Sequence, residues 1–159
     1  VSVSVNYTGR MVDLFIFQNA KISGEALIHL GFDGEDGGKI TSGIQKMAQT
    51  WTLLFLTELG SIQYDPTVGT DFVTNLRMGA IRDESDVQLE FGVAASSVYE
   101  QMNTAANVES MPPDELLQSS RLISFNLDRA KGLLSLYVGL TSQAGTTHDI
   151  LLPIPVAIQ

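Results

Sequence analysis

The chain predicts an α+β fold: amphipathic helices, one of them long, packed on a C-terminal antiparallel three-stranded sheet, with an N-terminal β-hairpin extension. Three observations carry this. Apolar residues in the middle of the chain recur at helical spacing, those of the last forty or so residues alternate with polar ones, and a run of glycines and acids (Phe32 to Gly38) separates an N-terminal segment from both. The expected division is residues 1–38 for the hairpin extension and its loop, and 39–159 for the main domain.

Met11 to Phe17 and Glu25 to Leu30 are rich in aliphatic, aromatic and β-branched residues and flank Lys21-Ile22-Ser23-Gly24, so they read as two strands joined by a turn. Ser42-Gly43-Ile44-Gln45 has the spacing of a capping box, which starts a helix. Ile44, Met47, Ala48, Trp51, Leu54 and Phe55 continue that helix toward Glu58, and Gly60 stands where a left-handed terminating residue is wanted. After the turn-forming Asp65-Pro66-Thr67-Val68-Gly69, Thr70 can cap a short helix bearing Phe72, Val73 and Leu76, with Gly79 ending it. Asp83, Glu84 and Asp86 suit the positive end of a further helix, and Val87, Phe91, Ala94, Val98, Met102 and Ala105 give it one apolar stripe before Pro112-Pro113. This is the long helix. Ile123, Phe125 and Leu127, then Leu134, Leu136, Val138 and Leu140, alternate with polar residues on either side of Ala130-Lys131-Gly132, which predicts a hairpin. Ile150 to Ile158 supplies a third strand. Pro153 and Pro155 lie two apart on it, so their missing amides face one side and predict an edge.

The composition excludes several function classes. The 159 residues include 18 acids and 9 bases, for a formal charge of −9, and the bases are scattered. No basic stripe exists for a phosphate backbone, so nucleic acid is not an expected partner. Without cysteine there is no disulfide, thiolate zinc site, iron–sulfur cluster or Cys nucleophile, and a reducing compartment fits. No apolar run reaches the ~18 residues of a membrane span, and Val1 to Arg10 lacks a signal-peptide layout, so neither a span nor secretion by that route is expected.

Nor is there a catalytic constellation. His29 and His148 each lack a second histidine at ligand spacing. Asp33 to Gly38 clusters carboxylates, but Ile44 occupies the position where a calcium loop needs glutamate. Asn6-Tyr7-Thr8 is a chance sequon without a signal peptide. Glu58 with Asp65 or Asp71 could form a paired-carboxylate set, but helix ends and a proline turn account for all three. No catalytic residue, cofactor or metal is expected.

Trp51-Thr52-Leu53-Leu54-Phe55-Leu56-Thr57-Glu58-Leu59-Gly60-Ser61, followed by Asp65-Pro66-Thr67-Val68-Gly69-Thr70-Asp71-Phe72, resembles a motif of the baseplate wedge, or tail sheath initiator, family of contractile-tailed bacteriophages. The motif is a helix ending in an apolar pair, a threonine and a glycine, then a turn from proline to glycine before a second helix; Gly60, Pro66 and Gly69 mark it here. Relatives serve type VI secretion and tailocin baseplates, and many carry a lysozyme-like label. The resemblance covers about Ile40 to Val156. It departs where the family has Glu-Pro-Arg before the first strand of the sheet, since this chain has Ser119-Ser120-Arg121, and in the added N-terminal hairpin.

The resemblance implies a structural virion protein of the viral tail baseplate, assembled in the host cytoplasm and present in six copies around the tail axis. Its partners would be baseplate wedge proteins, the tail sheath protein and tube or hub proteins. Arg121, with Ser119 and Ser120, would dock on the wedge bundle, and the sheet would receive sheath strands near Ile123, Phe125, Leu134, Leu136, Val156 and Ile158. The alternatives are a small α+β ligand- or protein-binding module unrelated to tails and, last, a peptidoglycan hydrolase.

Overall fold

The computed structural model describes residues 13–14, 17–22, 25–30, 40–104 and 110–156. In chain order these form β1 (Asp13–Leu14), β2 (Phe17–Ile22), β3 (Glu25–Leu30), β4 (Ile40–Thr41), α1 (Gly43–Leu56), α2 (Phe72–Arg77), α3 (Glu84–Thr104), β5 (Leu117–Asp128), β6 (Leu133–Ser142) and β7 (Thr147–Pro155). The layout is the expected α+β one, with an antiparallel C-terminal sheet ordered β5-β6-β7 and a long helix, α3.

The N-terminal strands are shifted from their expected places. Asp13 and Leu14 pair with Thr41 and Ile40, while the hairpin runs from Phe17↔Leu30 to Ile22↔Glu25. Lys21 and Ile22, expected in the turn, belong to β2, because pairing continues until two residues separate the strands, a length common in hairpins. β3 approaches β7.

α1 starts after Ser42 as expected, but the capping box does not form. Ser42 Oγ is buried without a partner, and the Gly43 N–H donates instead to Glu115 Oε1 at 3.0 Å. Glu115 is 2% exposed, and its other oxygen accepts from Lys46 Nζ at 2.8 Å. An ionised carboxylate at a helix N-terminus makes stronger bonds than a neutral hydroxyl, so a distant acid takes the place of the local cap. The helix also ends earlier than expected: Thr57 is extended, its N–H donating to Leu53 O at 2.9 Å, and Gly60 takes its positive φ of 79° in the following turn.

The core lies between the helices and one face of the sheet. Trp51 and Phe55 stack with ring centroids 4.8 Å apart, and Phe55 also meets Phe72 at 4.8 Å and Phe91 at 5.6 Å. Such pairs add ~0.5–1.5 kcal/mol each beyond the area they bury. α2 ends at Arg77, and Gly79, two residues on, takes a φ of 72° in the turn that follows. Before α3, Asp83 Oδ1 accepts the Asp86 N–H at 3.0 Å while Asp86 Oδ2 accepts the Asp83 and Arg82 N–H groups, a reciprocal cap built from two aspartates. The predicted stripe Val87, Phe91, Ala94, Val98 and Met102 is buried, and Ala105 lies outside the described residues.

On the central strand β6, Leu134, Leu136, Val138 and Leu140 are fully buried, facing the helices as alternation predicts. β5 departs from its pattern. Leu122 pairs with Val138 and Ser124 with Tyr137, so Ile123 is the extra residue of a β-bulge. The bulge reverses the facing of Ile123: Leu122, half-buried, stands opposite the buried Val138, and Ile123 is 39% exposed with its Cδ1 over Gly139.

Candidate functional site

The two outer edges of the sheet differ in what their backbones offer. The Val156 N–H donates to Gly132 O at 2.8 Å and the Ser142 N–H to Thr146 O at 2.9 Å, so even-numbered residues along β7 turn their polar groups toward β6. Thr147, Asp149, Leu151, Pro153 and Pro155 therefore face outward, and beyond Leu151 that edge has no donor. The edge predicted from the prolines is β7.

On the other side, the Gln143 N–H donates to Leu116 O at 2.8 Å, so odd-numbered β6 residues face β5. Their partners Ser119, Arg121, Ser124, Asn126 and Asp128 are committed to β6. The backbone groups of Ser120, Leu122, Phe125 and Leu127 point out of the sheet, and no described strand pairs with them. Beside this edge is a groove of about 410 Å³ lined by Glu84, Gln88 and Phe91 of α3 and by Leu122 to Phe125. An extended segment laid on β5 would meet free amides and carbonyls, with apolar side chains to receive alternate residues.

The sequence-predicted residues are distributed unevenly about this edge. Ile123 and Phe125 flank it. Leu134 and Leu136 do not: both are 0% exposed on the central strand, whose edges are already paired on either side, so neither can meet an added strand. Val156 is engaged with Gly132, and Ile158 lies outside the described residues. Ser119 and Arg121 are exposed on the face of β5 away from the helices, whereas Ser120 is half-buried with its backbone outward. Arg121 forms no ion pair with a described residue, so the internal pairing with Asp114 or Glu115 that the sequence also allows is not made, and Glu115 is held by Lys46.

Gly60, Pro66 and Gly69 do come together. Residues 59–69 form a loop closed at its neck by Leu59 N–H to Thr70 O at 3.1 Å and Thr70 N–H to Thr57 O at 2.8 Å, with Gly60 N–H reaching Pro66 O at 3.1 Å. Gly69 has a φ of 109°, and a Cβ there would lie 2.4 Å from Thr57 O, so only glycine fits. The Gln101 carboxamide clasps Gly69 from α3, its Oε1 accepting the N–H at 3.0 Å and its Nε2 donating to the carbonyl at 2.8 Å. Gln101 and Glu115 both escaped the sequence reading, because each acts on backbone far along the chain and leaves no periodic signal.

Two of the weighed carboxylates have local occupations, and the exposed Asp71 carboxylate makes no capping bond, only its backbone joining the helix that follows. Glu58 pairs with Arg77 and accepts from Thr74 Oγ1, Asp65 accepts the Thr67 N–H and hydroxyl, and the Asp71 carbonyl accepts the Asn75 N–H. Among the described residues no group of three His, Asp or Glu is arranged to hold a metal. No helix there is long and apolar enough to cross a membrane. His148 sits half-buried on β7; Asn6 and the run from Asp33 to Gly38 lie outside the described residues.

Two side chains on the exposed sheet and its turn titrate away from their ordinary ranges. Tyr137 donates its hydroxyl to Asp149 Oδ2 at 3.1 Å, and this bond to a carboxylate raises the phenol above 10.0. The Lys131 N–H and ammonium hold Asp128 below 3.8. A second groove, about 420 Å³, opens between α1, the end of α3 and the 59–69 loop, with Met47, Leu54, Met102 and Met111 in its lining. Comparison with protein-family models, curated proteins and solved structures finds no match to this chain.

Proposed function

We propose that the chain is a structural assembly protein that takes an extended partner segment on the outer edge of β5, and that the setting is the contractile-tail baseplate, where it initiates the sheath. The observation that supports the first part is the outward backbone of Ser120, Leu122, Phe125 and Leu127, which no described strand pairs with, beside a groove of mixed polar and apolar lining. The setting rests on the resemblance of Trp51 to Phe72 to the wedge family. Catalysis has no part in this reading, and purified protein is expected to release no sugar from peptidoglycan.

A proline tests the edge. Ser120→Pro removes an outward amide and leaves the β5–β6 ladder its donors, so the domain should stay folded while assembly with the tail sheath protein is lost. Unimpaired sheath polymerisation with a folded Ser120→Pro variant would refute the edge, and a complex with an unbroken ladder along β7 would refute it directly. The methionine-lined groove favours a second reading, a module for an apolar small molecule. Its signature is a melting shift with such a ligand that is abolished by filling the groove through Leu54→Trp.

A further inference from the structure

The loop 59–69 holds an exposed aromatic on a braced support. Tyr64 is 91% exposed, more than any other large hydrophobic side chain among the described residues. Beside it the Asp65 N–H donates to Ile62 O at 3.2 Å and the Thr67 N–H to Asp65 Oδ1 at 3.2 Å, while the clasp of Gln101 on Gly69 ties the loop to α3. The ring is held out by backbone that is already ordered, so little freedom remains to be lost when it binds, and tyrosines in such settings make strong anchors. Asp65, the next residue, lines the methionine-rich groove, so anchor and groove lie side by side on one surface. The polar side chains of that groove are engaged within the chain: Lys46 with Glu115, Asp65 with Thr67, Gln101 with Gly69, and the Thr50 and Thr104 hydroxyls with carbonyls one turn back in their helices. What it offers a newcomer is Met47, Leu54, Val68, Met102 and Met111, soft apolar walls suited to an aromatic ring. At about 420 Å³ it exceeds the ~150 Å³ that suffices for a benzene ring.

We propose that Tyr64 enters this groove on a second copy of the chain while the second copy's Tyr64 enters the first, a two-fold exchange. Because anchor and socket share one surface, the contact is self-complementary and closes after two molecules. The groove is open at its mouth, so the phenol hydroxyl keeps its water while the ring leaves it. Charge at the contact is balanced: the loop has Asp65 as its one charged residue, bonded to Thr67, and Lys46 and Glu115 neutralise each other at the groove. Further out, two chains of net charge −9 repel, and salt screens that repulsion. The dimer should therefore tighten as salt is added. The occupant is a side chain rather than the small molecule of the second reading, and the exchange stands or falls independently of strand addition at β5.

A contact this local buries little area, so a dimer of micromolar affinity or weaker is expected, seen by sedimentation of the full chain at rising concentration and by concentration-dependent shifts of the Met47, Met102 and Met111 methyl resonances. Tyr64→Ser, at unchanged melting temperature, should weaken it about tenfold or more. Leu54→Trp, or Met111→Trp if that variant does not fold, fills the groove and should do the same. An equimolar mixture of Tyr64→Ser with the groove-filled variant should associate more than either alone, since one supplies the ring and the other the open groove. Four results would overturn the proposal: a monomer at every concentration, a dimer indifferent to Tyr64→Ser, a dimer that salt weakens, or a mixture no better than its components. An indifferent dimer that Ser120→Pro dissolves would place the contact at β5 instead.

Discussion

Glu115 joins the segment after α3 to the first turn of α1, and its removal should be costly. Glu115→Ala deletes both the partner of the Lys46 ammonium and the acceptor of the Gly43 N–H, at a site where Glu115 is 2% and Lys46 14% exposed. Breaking a buried ion pair by removing one partner costs about 3–5 kcal/mol. Lys46 retains some access to water, so the lower end applies, about 3 kcal/mol, which for a chain of this size is roughly 6–12 °C in melting temperature. Glu115→Gln keeps an oxygen for Gly43 and loses only the charge, and should cost about half as much. Adding Lys46→Met to Glu115→Gln removes the ammonium that has lost its Glu115 carboxylate, and a double-variant cycle then measures the coupling of the two side chains. Urea denaturation of the four proteins measures all three differences. A Glu115→Ala variant within about 0.5 kcal/mol of the parent, or, with Lys46→Met measured alone as a fifth protein, a double variant that loses the sum of its single changes, would refute this account.

Gly69→Ala should cost about 3 kcal/mol, because strain at positive φ adds to a clash with the Thr57 carbonyl, whereas Gly60→Ala, with open space around its Cβ, should cost about 1–2 kcal/mol; equal losses in urea would contradict the clash. Tyr137, whose folded phenol lies above 10.0, contributes stability that is present below that value and lost as pH rises through the folded one. Phenolate absorbance should show Asp149→Asn bringing the titration back toward 10.0, and an unmoved curve would dismiss the hydrogen bond as its cause. Arg121→Ala should weaken assembly with wedge proteins while moving the melting temperature little, since the side chain is exposed and a lysine cannot reproduce its planar fork. Parallel loss of folding and assembly would assign Arg121 a structural task instead.

Periodicity made the helices and the C-terminal strands legible because each buries one face, and the resulting stripes at steps of 3.6 or 2 survive in the residue order. What escaped was set by single residues acting across the chain. The bulge at Ile123 cannot be read from Ile123, Phe125 and Leu127, which alternate without a break, since the extra residue is defined only by its partners Val138 and Tyr137. Ser42 and Gln45 have the right spacing for a cap, yet an acid seventy-two positions away outcompetes them. The candidate edge was half legible. Pro153 and Pro155 identified one side of the sheet, but nothing in the alternation of Leu134 and Leu136 tells a central strand from an outer one until the order β5-β6-β7 is known.

The unequal edges also bear on how copies of this chain could meet one another. Joining the β5 edge of one molecule to the β7 edge of the next would be a head-to-tail contact, which repeats without limit and yields fibres. Beyond Leu151 the prolines deny that contact its donors, so the endless arrangement is cut short by two residues. Pairing β5 with β5 of a second molecule uses the same surface twice and closes on itself. Within this sheet, backbone pairing between copies therefore favours a finite pair over an endless chain.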